Sequence, residues 1–220
     1  MKEEIKIVVP TSWSAVTLEN YLKLQKDIKV YGETEDGYIA CLFHHLCGFN
    51  PGYITQLDLE TLTKIKNDLV GFMSSTELPL QRIIRIDGVE YGFEPNLSKI
   101  AYGAYLDIMK YDTFAIDDNW GKIMSILYRP IEKKQGEIYG IKDYDGVIDD
   151  TKFLQVGMDV HWGALFFFIH LLKELPNAIL KSLMNSGEIP HNIKSTLEEN
   201  GEIIAQSFNS LGTIYSNSVK

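Results

Sequence analysis

Trp162-Gly-Ala-Leu-Phe-Phe-Phe-Ile-His-Leu-Leu172 is the one long segment of this chain that is apolar on every side of a helix. Such a helix must be enclosed by other elements, so the rest of the chain is expected to wrap it. Met158-Asp159 supplies a cap whose carboxylate can take the free N–H groups of the first turn, and Lys173, Glu174 and Pro176 mark the exit. The apolar run falls short of the ~20 residues that a bilayer span needs, which makes this a core helix and excludes a membrane partner.

Working outward, the preceding segments alternate between helical and hairpin patterns. Thr151 to Val156 reads as a short helix or extended approach, and Asp143-Tyr-Asp-Gly-Val-Ile-Asp-Asp150 as an acidic loop. Ile131 to Lys142 reads as a hairpin turning at Lys134-Gln-Gly136. Asp117-Asp118 opens a helix in which Trp120, Ile123, Met124 and Leu127 keep the i, i+3, i+4, i+7 spacing of an inward stripe, with Pro130 as its expected stop. A further helix is expected from Leu97 or Ser98 to Tyr111, with a mixed face carrying Tyr102, Tyr105 and Tyr111. Asp87-Gly88, between Gln81–Ile86 and Val89–Phe93, is the strongest two-residue hairpin signal in the chain.

The N-terminal part is helical apart from a short strand expected over Ile5–Pro10. Thr11-Ser-Trp-Ser is a turn that lays Trp13 over the next helix, Leu18 to Asp27, which Thr17 caps. Gly32 to Gly37 reads as an acidic loop, Tyr38 to Cys47 as a helix closed by Gly48, and Asp58 as the cap of a helix to about Met73 with Leu59, Leu62, Ile65, Leu69 and Phe72 inward. Beyond the central helix, Ala178 to Met184 repeats an amphipathic pattern, and the tail turns richer in Ser, Asn and Gly. The fold class expected is α+β, mostly α-helical, with two β-hairpins packed around a buried helix in the C-terminal half. Residues 1–184 are expected as one globular domain and 185–220 as a helical or extended tail that contacts partners.

Composition narrows function. The 220 residues are 45% hydrophobic and 23% charged, which suits one packed core, and a net charge of −9 without a dense basic run argues against direct nucleic-acid binding. Met1-Lys-Glu-Glu-Ile does not read as a secretory leader, so synthesis in a cytoplasm is expected. Cys41 and Cys47 lie on one helix, ~9 Å apart in rise, beyond disulfide reach. Cys41, His44, His45 and Cys47 could present metal ligands from one face, yet no second Cys or His pair follows to complete a zinc site. The 143–150 loop lacks the further oxygen ligands of a calcium loop. His161 and His170, nine residues apart, point in different directions. No nucleophile elbow, phosphate-binding glycine loop or zincin motif occurs, so no catalytic, cofactor or metal residue is assigned. Twelve Tyr, ten Phe and three Trp instead supply side chains suited to partly wet interfaces, and Trp13, Tyr102, Tyr105 and Tyr111 are the interface candidates.

Several boxes in fixed order carry a resemblance: Val9-Pro-Thr-Ser-Trp-Ser-Ala-Val-Thr-Leu-Glu-Asn-Tyr21, Asp87-Gly-Val-Glu-Tyr-Gly-Phe-Glu-Pro-Asn-Leu-Ser98, Gly103-Ala-Tyr-Leu-Asp107, Ile126-Leu-Tyr-Arg-Pro-Ile131 and Gly163-Ala-Leu-Phe-Phe-Phe168. From about Val9 to Leu183 the chain resembles a family of small virion or assembly proteins of tailed bacteriophages, including the crAss-like phages. It departs at Gly48-Phe-Asn-Pro and after Asn185. The resemblance implies no catalytic residue. It implies an oligomeric ring or connector component of the portal-tail region, located in the virion and contacting other virion proteins, or else an assembly chaperone absent from the mature particle.

Overall fold

In a computed structural model, residues 7–74, 78–111, 113 and 115–170 are described. The chain divides into two compact units, Met1–Phe166 and Phe167–Lys220. Of the second unit only 167–170 are described, so the expected helix 178–184 and the boundary at 184 lie outside the described residues.

Three helices open the first unit: α1 (Leu18–Tyr31), α2 (Glu35–Cys47) and α3 (Leu59–Met73). Each begins where a side-chain oxygen can take an orphan backbone N–H. Thr17 accepts from Asn20, Thr34 from Gly37 and Asp58 from Thr61. Gly48 closes α2 in the left-handed region at φ 64°. Two starts and stops differ from expectation. Helix α1 runs on through Ile28–Tyr31, and α2 begins at Glu35, because Thr34 with Glu35 and Asp36 in the first turn forms a helix start inside what reads as an acidic loop. Residues 7–10, at the end of the expected first strand, carry no strand. The inward face of α3 is narrower than expected: Ile65, Leu69 and Phe72 are buried, Leu62 is half-buried and Leu59 is exposed.

The two hairpins are present, β1 (Ile83–Ile86) with β2 (Val89–Phe93) and β3 (Tyr128–Gln135) with β4 (Ile138–Ile141). They join into one antiparallel sheet of order β1-β2-β3-β4, in which Gly92 faces Arg129 and Phe93 faces Tyr128. Asp87 and Gly88 both take positive φ, 50° and 81°, as a two-residue turn matched to strand twist requires. Pro130 does not stop a helix as expected but lies within β3, opposite Tyr91. The stop falls two residues earlier, where α5 (Trp120–Leu127) passes directly into β3.

The core centres on α5. Trp120, Ile123, Met124, Ile126 and Leu127 are all fully buried, so the helix is enclosed on more sides than its stripe requires. Residues 158–170 form the last described helix, α6, four residues longer at its start than the apolar stretch. Its enclosed part is the N-terminal one, with Met158, Val160, His161, Ala164 and Leu165 buried. Gly163 is required there, since a Cβ would stand 2.5 Å from the Pro79 carbonyl oxygen. Burial ends at Leu165. Phe166, the last residue of the first unit, is 37% exposed, Phe167 to Ile169 are half-buried and His170 is exposed. The more complete enclosure thus belongs to α5, where only Lys122 and Ser125 are half-buried, while Phe166 to Ile169 of α6 are only partly covered. No helix among the described residues is long and apolar enough to cross a membrane.

Candidate interaction surface

The helix expected over 97–111 is broken. Leu97–Lys99 is a single 3₁₀ turn, Ile100 and Ala101 leave helical geometry, and α4 spans only Tyr102–Ile108. So short a helix is held by tertiary contacts and not by its own propensity. Ala104 is fully buried. Asp107, half-buried, accepts from the Tyr144 hydroxyl at 2.5 Å and from Lys110 Nζ at 2.5 Å, which ties α4 to the 143–150 loop. The Lys110 bond, with that of Tyr144, holds the Asp107 carboxyl below its ordinary range, while burial and then Asp107 push the Tyr144 phenol up.

With Ala104 and Asp107 turned inward, the other face is left to solvent. Tyr102 is 74% exposed, Tyr105 46%, Leu106 44% and Met109 64%. These positions stand at i, i+3, i+4 and i+7, so they form one stripe, and the two tyrosine rings stack at 6.5 Å and 24°. An apolar stripe on a helix ordinarily faces the core; here it faces out. Contiguous exposed apolar side chains mark sites of association, and Tyr and Met are enriched in interface cores.

Of the four candidates from the sequence, the structure brings two together, Tyr102 and Tyr105. Tyr111 is half-buried, with Lys122 Nζ 5.6 Å from its ring centroid, and lies beyond the end of α4. Trp13 is a correction: it is 5% exposed and belongs to the core, its ring 4.5 Å from Phe72, 5.9 Å from Trp162 and 6.4 Å from Tyr21. Leu106 and Met109 are the residues that sequence reasoning missed. Their signal was the spacing from Tyr102, obscured because an apolar stripe reads the same whether it faces in or out.

The cysteine and histidine candidates do not converge. Cys41 is buried, and burial pushes its thiol up; burial also raises the half-buried Cys47 thiol, to about 11. His45 Nε2 lies 2.7 Å from Asp27 Oδ2, while His44 is exposed. Two carboxylates of the 143–150 loop are turned to their own chain: Asp145 accepts from the Val147 N–H and from Lys142, and Asp149 from the Thr151 N–H and hydroxyl. Among the described residues no three His, Cys, Asp or Glu side chains gather as metal ligands. His161 is fully buried, its Nε2 3.1 Å from the Phe153 carbonyl oxygen, and it is packed away from solvent.

No family model matches this chain, and neither a curated protein nor a solved structure matches it.

Proposed function

We propose that this chain acts by binding other proteins, as a non-catalytic structural component of a tailed-bacteriophage virion, assembled in the host cytoplasm into a ring or connector of the portal-tail region. The observation that carries the binding reading is the outward stripe Tyr102, Tyr105, Leu106 and Met109. An amphipathic, partly aromatic face on a helix braced from behind by Asp107 and Tyr144 is preorganised, so little ordering entropy opposes docking. In a cyclic homo-oligomer one such face repeats against a different face of the next copy, which closes the ring without leaving the stripe exposed. The phage setting draws on the ordered sequence boxes, and the net charge of −9 favours protein neighbours over nucleic acid.

A second reading, an assembly chaperone that covers a partner's apolar segment and then leaves, uses the same stripe. Mass spectrometry of purified particles separates the two, since the chaperone is absent from them. The binding reading is tested with the double variant Tyr102→Ser, Tyr105→Ser. Light scattering is expected to give an oligomer, or a complex with a virion protein, for the natural chain and a folded monomer for the variant. A natural chain that stays monomeric and captures virion proteins no better than the variant does would overturn it.

A further inference from the structure

A cleft of about 790 Å³ lies between the 9–14 segment, the last turns of α3 and the start of α6. That volume falls within the ~300–1,000 Å³ of ordinary ligand sites. Its apolar side chains include Pro10, Trp13 and Phe72, all buried, and half-buried Val9 and Leu78. Asp68 on α3 and Asp159 on α6 add two carboxylates, and no Lys or Arg lines the cleft among the described residues. Gly71 stands exposed at its edge with open space where a Cβ would be.

We propose that this cleft binds a short segment of a partner protein that carries a lysine or arginine between apolar residues. The two halves of the lining ask for different things of one occupant. Apolar side chains lie over Trp13 and Phe72, and a basic side chain, whose aliphatic stem can follow them to the cleft, sets its charge against Asp68 and Asp159. The lining carries two negative charges in a chain of net charge −9, so a basic segment is attracted and an acidic one repelled. This deepens the protein-binding reading but rests on residues remote in sequence from α4, so either can fail without the other.

The probes are two capped pentapeptides, Gly-Leu-Lys-Leu-Gly and Gly-Leu-Glu-Leu-Gly, titrated into the isotope-labelled full chain and followed by amide and indole chemical shifts. The lysine peptide is expected to shift the Trp13 indole and residues 9–14 and 67–72 saturably, and the glutamate peptide to leave them unmoved. Gly71→Leu fills the open space with a better helix former and is expected to abolish the shifts while circular dichroism stays native. Asp68→Asn, at an exposed position, is expected to weaken the lysine peptide about two- to fivefold, the range of one exposed ion pair. Absence of saturable shifts, equal response to the two peptides, shifts confined to α4, or undiminished binding by folded Gly71→Leu would each overturn the proposal. If the stripe variants still abolish oligomers while the peptide fails to bind, the cleft assignment alone falls.

Discussion

Between pH 7.5 and 4.5 acid should destabilise this protein chiefly through one side chain, His161. It has no exposed surface, and its Nε2 lies 3.1 Å from the Phe153 carbonyl oxygen, which only accepts, so Nε2 carries the hydrogen and the ring is neutral. Burial is the dominant cause that lowers its pKa from 6.5 to about 4, against a smaller opposite pull from the Phe153 and Val156 carbonyls. In the unfolded chain the imidazole returns to its ordinary value. Between the two values the unfolded state binds a proton that the folded state refuses. Stability from this group is therefore complete above pH 6.5 and drains away as pH falls toward 4. The gap corresponds to about 3 kcal/mol, a large part of an ordinary domain's stability. Urea unfolding at pH 4.5 to 7.5, followed by tryptophan fluorescence, should be compared with that of His161→Gln, whose amide N–H can still meet the Phe153 carbonyl but does not titrate. The carboxylates titrate alike in both proteins. The natural chain is expected to lose about 2–3 kcal/mol more than the variant over this range. Parallel stability curves would refute the reasoning.

Trp13→Ala should cost about 3–5 kcal/mol in urea unfolding, as expected for a core indole, whereas Tyr102→Ala should stay within about 0.5 kcal/mol, since that ring stands in solvent. Arg129 and Glu94 form a buried ion pair in which Arg129 Nε and Nη1 have no acceptor among the described residues. Arg129→Met alone should cost about 3 kcal/mol by stranding Glu94, and adding Glu94→Gln should recover most of it; a double variant as weak as the single one would contradict this. Gly88→Val forces a branched residue to φ 81° in the hairpin turn and should cost about 1–2 kcal/mol, with amide exchange rising first in β1 and β2.

The stripe of α4 shows where sequence reading stops. Tyr102, Tyr105, Leu106 and Met109 have helical spacing, but the spacing is silent on which side meets the core. The same holds for Phe166 to Ile169, as apolar as any part of the chain yet only partly covered. Trp13 failed as an interface residue for the converse reason: its partners Phe72 and Trp162 lie far along the chain. The break between Leu97–Lys99 and α4 carries no Gly or Pro to announce it, and Thr34 was hidden because its cap sits inside a run of acids that also reads as loop.

By itself the sequence determined the features that are settled within a few residues. These are the caps at Thr17 and Asp58, the glycine close of α2, the Asp87-Gly88 turn, the inward stripe of α5 and hence a mostly helical α+β chain with two hairpins. Each is decided by local backbone geometry and periodicity, which the neighbouring residues encode. Only the tertiary structure decided that the hairpins fuse through β2 and β3, that α5 is the more completely enclosed helix while burial of the apolar run of α6 ends at Leu165, and that the α4 stripe looks outward. Those outcomes depend on which surfaces remain once every element competes for the same limited core, and no single segment contains that information.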